Sequence, residues 1–422
     1  MNRKQFLNRL IAGGSGLSFL PWLNGCGLQE EEAQPQWDQI GHSWEAVRDL
    51  FPLTHDRIYL NTGGLGPASL PVLSAMAEQN RLQAVEGENY HHLLGELREQ
   101  VARFNGVDSN EIAFTRNATE GNSLIAAGLE LKRGDEVIFE SEAHPGGSFP
   151  WLNRQKRDGI KVRIFEPDLE NPAGNLQRIA DLATSRTRVI QVSHMTAPTG
   201  LLFDIPALAK FARERDIWFH VDGAQTAGMI PVNLRQLGCD SYATSGHKWI
   251  NGPQGTGYLY IARERVDEVL LSHAGAHSAS HYEFPDTFVY LDSTPRHEYG
   301  TRNAADIRGL TVAMNLQERI GRERIANHGK NLVKLTRKAY RQIRGIEILT
   351  PERDDMHGSI LTFRIPGRPC REITHFFRKD HALRVRPVTE QNLNAVRISW
   401  HVYHQEQDVE PVIRAARDAA SV

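Results

Sequence analysis

The chain is poor in cysteine, in charge of one sign and in long apolar runs, and each shortage excludes something. Three cysteines in 422 residues, Cys26, Cys239 and Cys370, build neither a disulfide framework nor a paired-cysteine zinc site. Lysine and arginine number 49 against 51 aspartates and glutamates, and the formal net charge is −2. With no basic run carrying interleaved aromatics, the sequence offers no nucleic-acid surface and suits a small-molecule substrate. The apolar stretch from Ile11 to Leu23 is broken by Gly13, Gly14 and Gly16 and is too short to span a bilayer. At 40% apolar residues, the chain is still long enough for one large core and a smaller second one.

What is present begins with a basic head and that short apolar run, the pattern of a targeting segment over residues 1–26. Arg3-Lys4-Gln5-Phe6-Leu7 resembles a twin-arginine export motif with lysine in the second basic position. Leu23-Asn24-Gly25-Cys26 resembles a lipoprotein cleavage box. Acylation at Cys26 would tether an exported, periplasmic protein to a membrane. An unprocessed amphipathic N-terminus in a cytoplasmic protein is the alternative. Residues 27–42, polar and acidic with a proline, suit a linker.

Beyond the linker, apolar strands alternate with amphipathic helices: 111–115, 136–139, 162–165, 189–192, 217–221, 241–244 and 258–261 read as strands. This rhythm predicts an α/β fold with a mostly parallel sheet covered by helices. From about Arg308 the pattern shifts to long helices and then to strands at 359–365 and 395–399, which predicts a smaller α+β domain. The expected division is an N-terminal segment over 43–65 packing with the small domain, a large domain over 66–307 and a C-terminal domain over 308–422.

Two motifs carry chemistry. His220-Val221-Asp222-Gly223-Ala224-Gln225 follows an apolar strand, and Ser245-Gly246-His247-Lys248 follows the next. Open α/β sheets bind ligands at such strand ends. A buried lysine beside a carboxylate able to pair with a ring nitrogen is what pyridoxal phosphate chemistry requires, because the amine must lose its proton to attack an aldehyde while a protonated pyridine withdraws electrons. Lys248 is the expected Schiff-base residue. Singly, Asp222 could be a helix N-cap, and Lys248-Trp249 a surface turn.

The D-G-A-Q and S-G-H-K pair resembles the cofactor signature of the aminotransferase class V family. That resemblance implies the pyridoxal phosphate-dependent transferase fold type I, with Asp222 on the pyridine nitrogen, Gln225 on the ring hydroxyl, and Ser245 and His247 reaching the phosphate. Thr115-Arg116-Asn117-Ala118-Thr119-Glu120 is similar to the family's phosphate turn. Asn117 and Glu120 have capping-box spacing, which leaves the amides of Ala118 and Thr119 at a helix N-terminus; simple capping is the alternative. The resemblance sets His144 over the cofactor face and gives it a catalytic role, although a loop histidine is often merely solvated. It also assigns a ring contact to Thr196, because many relatives carry asparagine where Ala197 stands. Gly300-Thr301-Arg302-Asn303 resembles a segment that crosses a homodimer interface, with Thr301 reaching the partner's phosphate; Thr301 as an N-cap is the other possibility. The glycine loop 62–67 would line the substrate side. Arg397, on the strand Val396-Arg397-Ile398-Ser399, would clamp a substrate carboxylate, a task that suits a planar guanidinium. Arg384 and Arg386 are further candidates.

The 142–151 and 193–200 segments with Gly300-Thr301-Arg302-Asn303 resemble most the isopenicillin N epimerase-like branch, so the expectation is an enzyme acting on an amino acid by epimerase or carbon–sulfur lyase chemistry. A class V aminotransferase making a keto acid is the alternative. Desulfuration is disfavoured, because 388–396 holds no cysteine nucleophile. A catalytically inactive ligand-binding lipoprotein would have no use for a deprotonated lysine. A metal enzyme is suggested only by His273, His277 and His281, which would share a helix face; Gly275 and nearby serines make a helix poor there, so no metal is expected and a flexible substrate-side loop is preferred.

Overall fold

The computed structural model describes residues 43–421, so the expected export segment, the linker and Cys26 lie outside the described residues. The first strand, β1 (Ile58–Tyr59), is two residues long and finds its partner near the other end of the chain. Seven strands then build the main sheet: β2 (Ile112–Thr115), β3 (Glu136–Glu140), β4 (Lys161–Phe165), β5 (Thr187–Ser193), β6 (Trp218–Asp222), β7 (Ser241–Ser245) and β8 (Gly257–Ile261). Their spatial order is β2-β8-β7-β6-β5-β3-β4. The pairs from β4 through to β7 are parallel, and β8 runs antiparallel to both β7 and β2. Every residue of β3, β6 and β7 is buried, whereas the edge strand β4 exposes part of its length. Helices on both faces account for the unbroken apolar runs.

Because neighbouring parallel strands share a direction, Glu140, Ser193, Asp222 and Ser245 all emerge at one edge of the sheet. The register sets Asp222 opposite Ser193 on one side and opposite Ala243 on the other. Two helices start at this edge. Ala118–Gly128 is capped by the side chain of Asn117, and Pro145–Asp158 begins with the proline whose fixed φ suits a first helical turn.

The hairpin β9 (Ala279–Glu283) and β10 (Thr287–Tyr290) corrects the loop expected around the three histidines. His281 stands on a strand, so no helix aligns His273, His277 and His281. Among the described residues no group of three or more histidine, cysteine or acidic side chains is placed to hold a metal.

The second sheet contains β11 (Glu347–Ile348), β12 (Ile360–Arg364), β14 (Arg386–Val388) and β15 (Ala395–Ser399), in the order β11-β12-β15-β14 with antiparallel neighbours. Strand β13 (Leu383–Arg384) instead pairs with β1, and Leu60 enters the same core as Leu361, Phe363, Val396 and Ile398. The boundary expected at 308 falls inside the helix Ala304–Ile320, whose Ile307, Leu310 and Met314 belong to the core of the main sheet. Helical spacing shows that a face is apolar, not which core receives it.

Candidate active site

At the strand-end edge, one cavity of about 280 Å³ is lined by Gly63, Gly64, Asn117, Ala118, Thr119, His144, Ala197, Asp222, Ala224, Gln225, Ser245, His247, Lys248, Arg386 and Arg397. Residues from five strand ends and from the second sheet therefore converge. Of the expected site residues, Thr196 and Thr301 do not line it.

Asp222 ends the central strand β6. Its Oδ1 accepts from the amide of Ala224 at 3.0 Å and its Oδ2 from Nδ2 of Asn122 at 2.9 Å. No helix begins at Asp222, which removes the N-cap alternative. Lys248 lies in the turn after β7. Its neighbour Trp249 is fully buried, with Nε1 donating to Gln225 Oε1 at 2.8 Å and its carbonyl accepting from Gln317 Nε2 at 2.6 Å and His401 Nε2 at 2.8 Å. The turn is thus an anchored platform and not a surface feature. Gly66 packs against it so closely that a Cβ would stand 1.8 Å from the Lys248 carbonyl oxygen.

Burial pulls the Lys248 amine down to about 8; Asp222 opposes the shift, and Arg397 and Arg386 reinforce it. Burial also lowers His144, with the Lys248 charge acting in the same sense. His144 caps the helix Pro145–Asp158, its Nδ1 accepting from the Gly146 amide at 3.0 Å. The neutral ring therefore carries its proton on Nε2.

At the phosphate turn, Asn117 Oδ1 accepts from the Glu120 amide at 3.0 Å, while Glu120 reaches back to the amide of Arg116 at 2.5 Å and not to that of Asn117. The capping box is displaced by one residue. Ser245 Oγ accepts from the Ala118 amide at 2.9 Å, joining the two anion-facing segments. The Nδ1 of His247 is buried with no hydrogen-bond partner.

Arg397 reaches across from β15 and is 1% exposed. Its Nη1 donates to Ala197 O at 3.0 Å and its Nη2 to Asn61 Oδ1 at 3.2 Å. Arg386 stands directly opposite it in the register of β14 and β15 and also lines the cavity, paired with Glu390. Arg384 turns its guanidinium to the Val385 carbonyl. Gln225 spends both ends of its amide on the scaffold, donating to Gly63 O at 2.9 Å as well as accepting from Trp249.

One expectation and one alternative need correction. The Thr196 hydroxyl is fully buried in its own loop, bonded to Thr199 Oγ1 at 2.9 Å and to the Leu201 amide at 3.2 Å, so it serves the loop while Ala197 faces the cavity. Thr301 does not cap the following helix; Asn303 does, accepting from the Ala305 amide at 3.1 Å. Asn61 and Asn122 were not singled out in the sequence. Only long-range contacts give them their roles.

The residues fit pyridoxal phosphate. The cavity offers a neutralisable amine, an acceptor carboxylate, the N-terminus of the helix at Ala118, and the unpartnered His247 nitrogen. At Gly63 a Cβ would intrude to 2.8 Å of Gln225 Oε1 and 3.0 Å of Arg397 Nη2. Such a site defines a pyridoxal phosphate enzyme of fold type I.

The aminotransferase class-V family model matches residues 71–412, and the chain belongs to that family. Pyridoxal 5'-phosphate is its cofactor. The chain is 30% identical over 390 residues to a probable cysteine desulfurase of Pyrococcus abyssi, covering 87% of this chain and 95% of that protein. It is 27% identical over 395 residues to isopenicillin N epimerase of Amycolatopsis lactamdurans, covering 90% and 99%. The apo structure of cysteine desulfurase from Thermococcus onnurineus NA1 is similar at a TM-score of 0.80 and 28% identity, over 89% of this chain and 98% of that one.

These relatives overturn the expectation that desulfuration is disfavoured. The likeness to desulfurases covers 87% of the chain in one relative and 89% in the solved structure, and a missing cysteine in one short loop does not outweigh it. Of the described cysteines, Cys239 and Cys370 are both buried and outside the cavity lining.

Proposed function

We propose that this chain binds an α-amino acid, holds its carboxylate on Arg397 and removes the Cα proton with Lys248, leading to carbon–sulfur bond cleavage in a substrate of the cysteine class. The observation that carries the reading is one cavity uniting Lys248, whose amine is brought down to about 8, with Asp222 and the buried guanidinium of Arg397. When bound, the cofactor supplies an aldehyde that accepts the substrate amine and a ring that draws electrons from Cα. Asp222 would meet the ring nitrogen as an acceptor, and the Thr119 amide, His247 and Ser245, whose Oγ accepts from the Ala118 amide, would hold the phosphate. Lys248 acts as the general base toward Cα. Relatives named as desulfurases support sulfur chemistry.

Elimination from cysteine breaks the Cα–H and Cβ–S bonds, and with water yields pyruvate, ammonium and sulfide. Desulfuration returns a proton to carbon and leaves alanine, with sulfur passing to an acceptor thiol. Epimerisation is the second reading, favoured by His144, whose Nε2–H gives the cavity a second group able to exchange a proton. Incubating the holoenzyme in deuterated water with L-cysteine, L-cystine and a panel of other amino acids separates these outcomes. Pyruvate with sulfide from cysteine or with persulfide from cystine, or alanine with persulfide on the acceptor thiol, is expected. Deuterium exchange at Cα with neither sulfide nor persulfide would favour epimerisation, a keto acid that keeps its side-chain substituent would favour transamination, and no product or exchange with any amino acid would sink the reading.

Thr301 is exposed and outside its own chain's cavity, which supports its assignment to the partner's phosphate in a homodimer. Export and a lipid anchor at Cys26 remain part of the proposal. Replacing Cys26 with alanine is expected to release the protein from the membrane fraction; unchanged fractionation would refute the anchor.

A further inference from the structure

Behind Asp222 runs a line of buried polar side chains that the reaction itself does not use. Asn122, His220 and Ser241 are fully buried, and Trp218 is nearly so. The Nδ2 of Asn122 faces two acceptors, Asp222 Oδ2 at 2.9 Å and the Gly146 carbonyl at 3.2 Å. Rotating the amide would turn its oxygen onto both, so the orientation is fixed. Its Oδ1 then faces His220 Nε2 at 2.8 Å, which must carry a proton. Burial lowers His220 to about 4, so the ring is neutral and its Nδ1 is an acceptor. The group at Nδ1 is Ser241 Oγ, 2.7 Å away, and Ser241 Oγ accepts from Trp218 Nε1 at 2.9 Å. An indole N–H only donates, which leaves the serine proton for the histidine. Every hydrogen bond from Trp218 to Asp222 therefore points the same way.

We propose that Asn122 and His220, oriented by Ser241 and Trp218, are positioning residues that hold Asp222 as an acceptor-only carboxylate and thereby keep the cofactor's ring nitrogen protonated. The physical reason is directional. A buried chain of aligned hydrogen bonds is cooperative, and a donor ending at a carboxylate favours its charged form. No member of the chain carries a charge that would compete with the ring for Asp222. Loss of the Asn122 amide would leave Asp222 Oδ2 without the donor it accepts from. The inference depends on the cofactor and not on which amino acid is the substrate.

The test reconstitutes the purified protein with pyridoxal phosphate labelled with 15N in the ring, without any amino acid, and reads the ring-nitrogen chemical shift and the cofactor dissociation constant. The wild-type signal is expected at the protonated position. Asn122→Leu keeps a similar volume but removes the donor to Asp222, and His220→Leu removes the donor behind it. Both are expected to move the signal toward the unprotonated position and to weaken cofactor binding about ten- to a hundred-fold, the scale of one lost hydrogen bond to a charged group. His220→Gln, which restores a donor near the Nε2 position, should recover the protonated signal. A protonated signal and unchanged affinity in folded Asn122→Leu and His220→Leu would overturn the proposal. If neither folds, Ser241→Ala decides: it removes only a hydroxyl, and an unmoved signal in that variant overturns the proposal as well.

Discussion

Nη2 of Arg397 donates to Oδ1 of Asn61 across 3.2 Å, tying the last strand of the second sheet to the loop that follows β1. The same backbone neighbourhood is locked by a parallel bridge between Asn61 and Ser399. The guanidinium is therefore aimed before any substrate arrives. Arg397→Lys is expected to raise KM for the amino acid by about ten- to a hundred-fold, because an ammonium cannot make the planar two-point contact. Asn61→Ala should raise KM less, by roughly fivefold, with kcat little changed, because only the aim is loosened. Steady-state kinetics on the best substrate of the amino-acid panel would check both. A fall in kcat at constant KM in Arg397→Lys would contradict the carboxylate role.

The lowered amine of Lys248 sets a pH dependence. With its pKa down to about 8, the neutral fraction rises as pH rises through 8 instead of through the ordinary value of 10.5. At pH 7 about a tenth of the amine is then neutral, against roughly one part in three thousand for an unshifted lysine. Capture of pyridoxal phosphate by the apoprotein, followed by absorbance, should therefore accelerate up to about pH 8 and level off above it. A rate still climbing tenfold per unit beyond pH 9 would show that the amine is not shifted.

Gly63 has no room for a methyl group, since its Cβ would meet Gln225 Oε1 and Arg397 Nη2. Both neighbours are held by hydrogen bonds and do not yield freely. Gly63→Ala is expected to fold normally and to weaken substrate binding by about tenfold, on the order of 1.4 kcal/mol. Thermal denaturation beside substrate titration would separate the two effects; a large drop in stability with intact binding would argue against it.

Gly223 is tighter still. A Cβ there would stand 1.9 Å from Cζ of the fully buried Tyr242, whose hydroxyl bonds Thr226 Oγ1 at 2.7 Å. Gly223→Ala should cost about 3 kcal/mol of stability, the upper range for overpacking a core. Urea denaturation would measure it, and a loss below about 0.5 kcal/mol would mean that the turn after Asp222 relaxes easily.

The parts of the site that were legible in the sequence are local. Asp222, Gln225, Ser245, His247 and Lys248 sit within two short motifs at the ends of adjacent strands, and the apolar runs before them mark those strands. Asn61 and Asn122 meet their partners only through folding, across 336 and 100 positions of chain. Thr196 misled because residue type suggests a ligand-facing hydroxyl, whereas the loop needs that hydroxyl for its own turn. The boundary at 308 misled for a related reason: the stripe of Ile307, Leu310 and Met314 predicts a buried face without naming the core that buries it. Exclusion of desulfuration rested on one loop and gave way to similarity over most of the chain.

Everything in the account depends on the side-chain nitrogen of Lys248 meeting the cofactor. Reduction of the holoenzyme with borohydride, followed by proteolysis and mass spectrometry of the peptides, is the most direct measurement. The account predicts a phosphopyridoxyl group on the peptide carrying Lys248 and none in Lys248→Ala. A label on another lysine, or the same label in that variant, would contradict it.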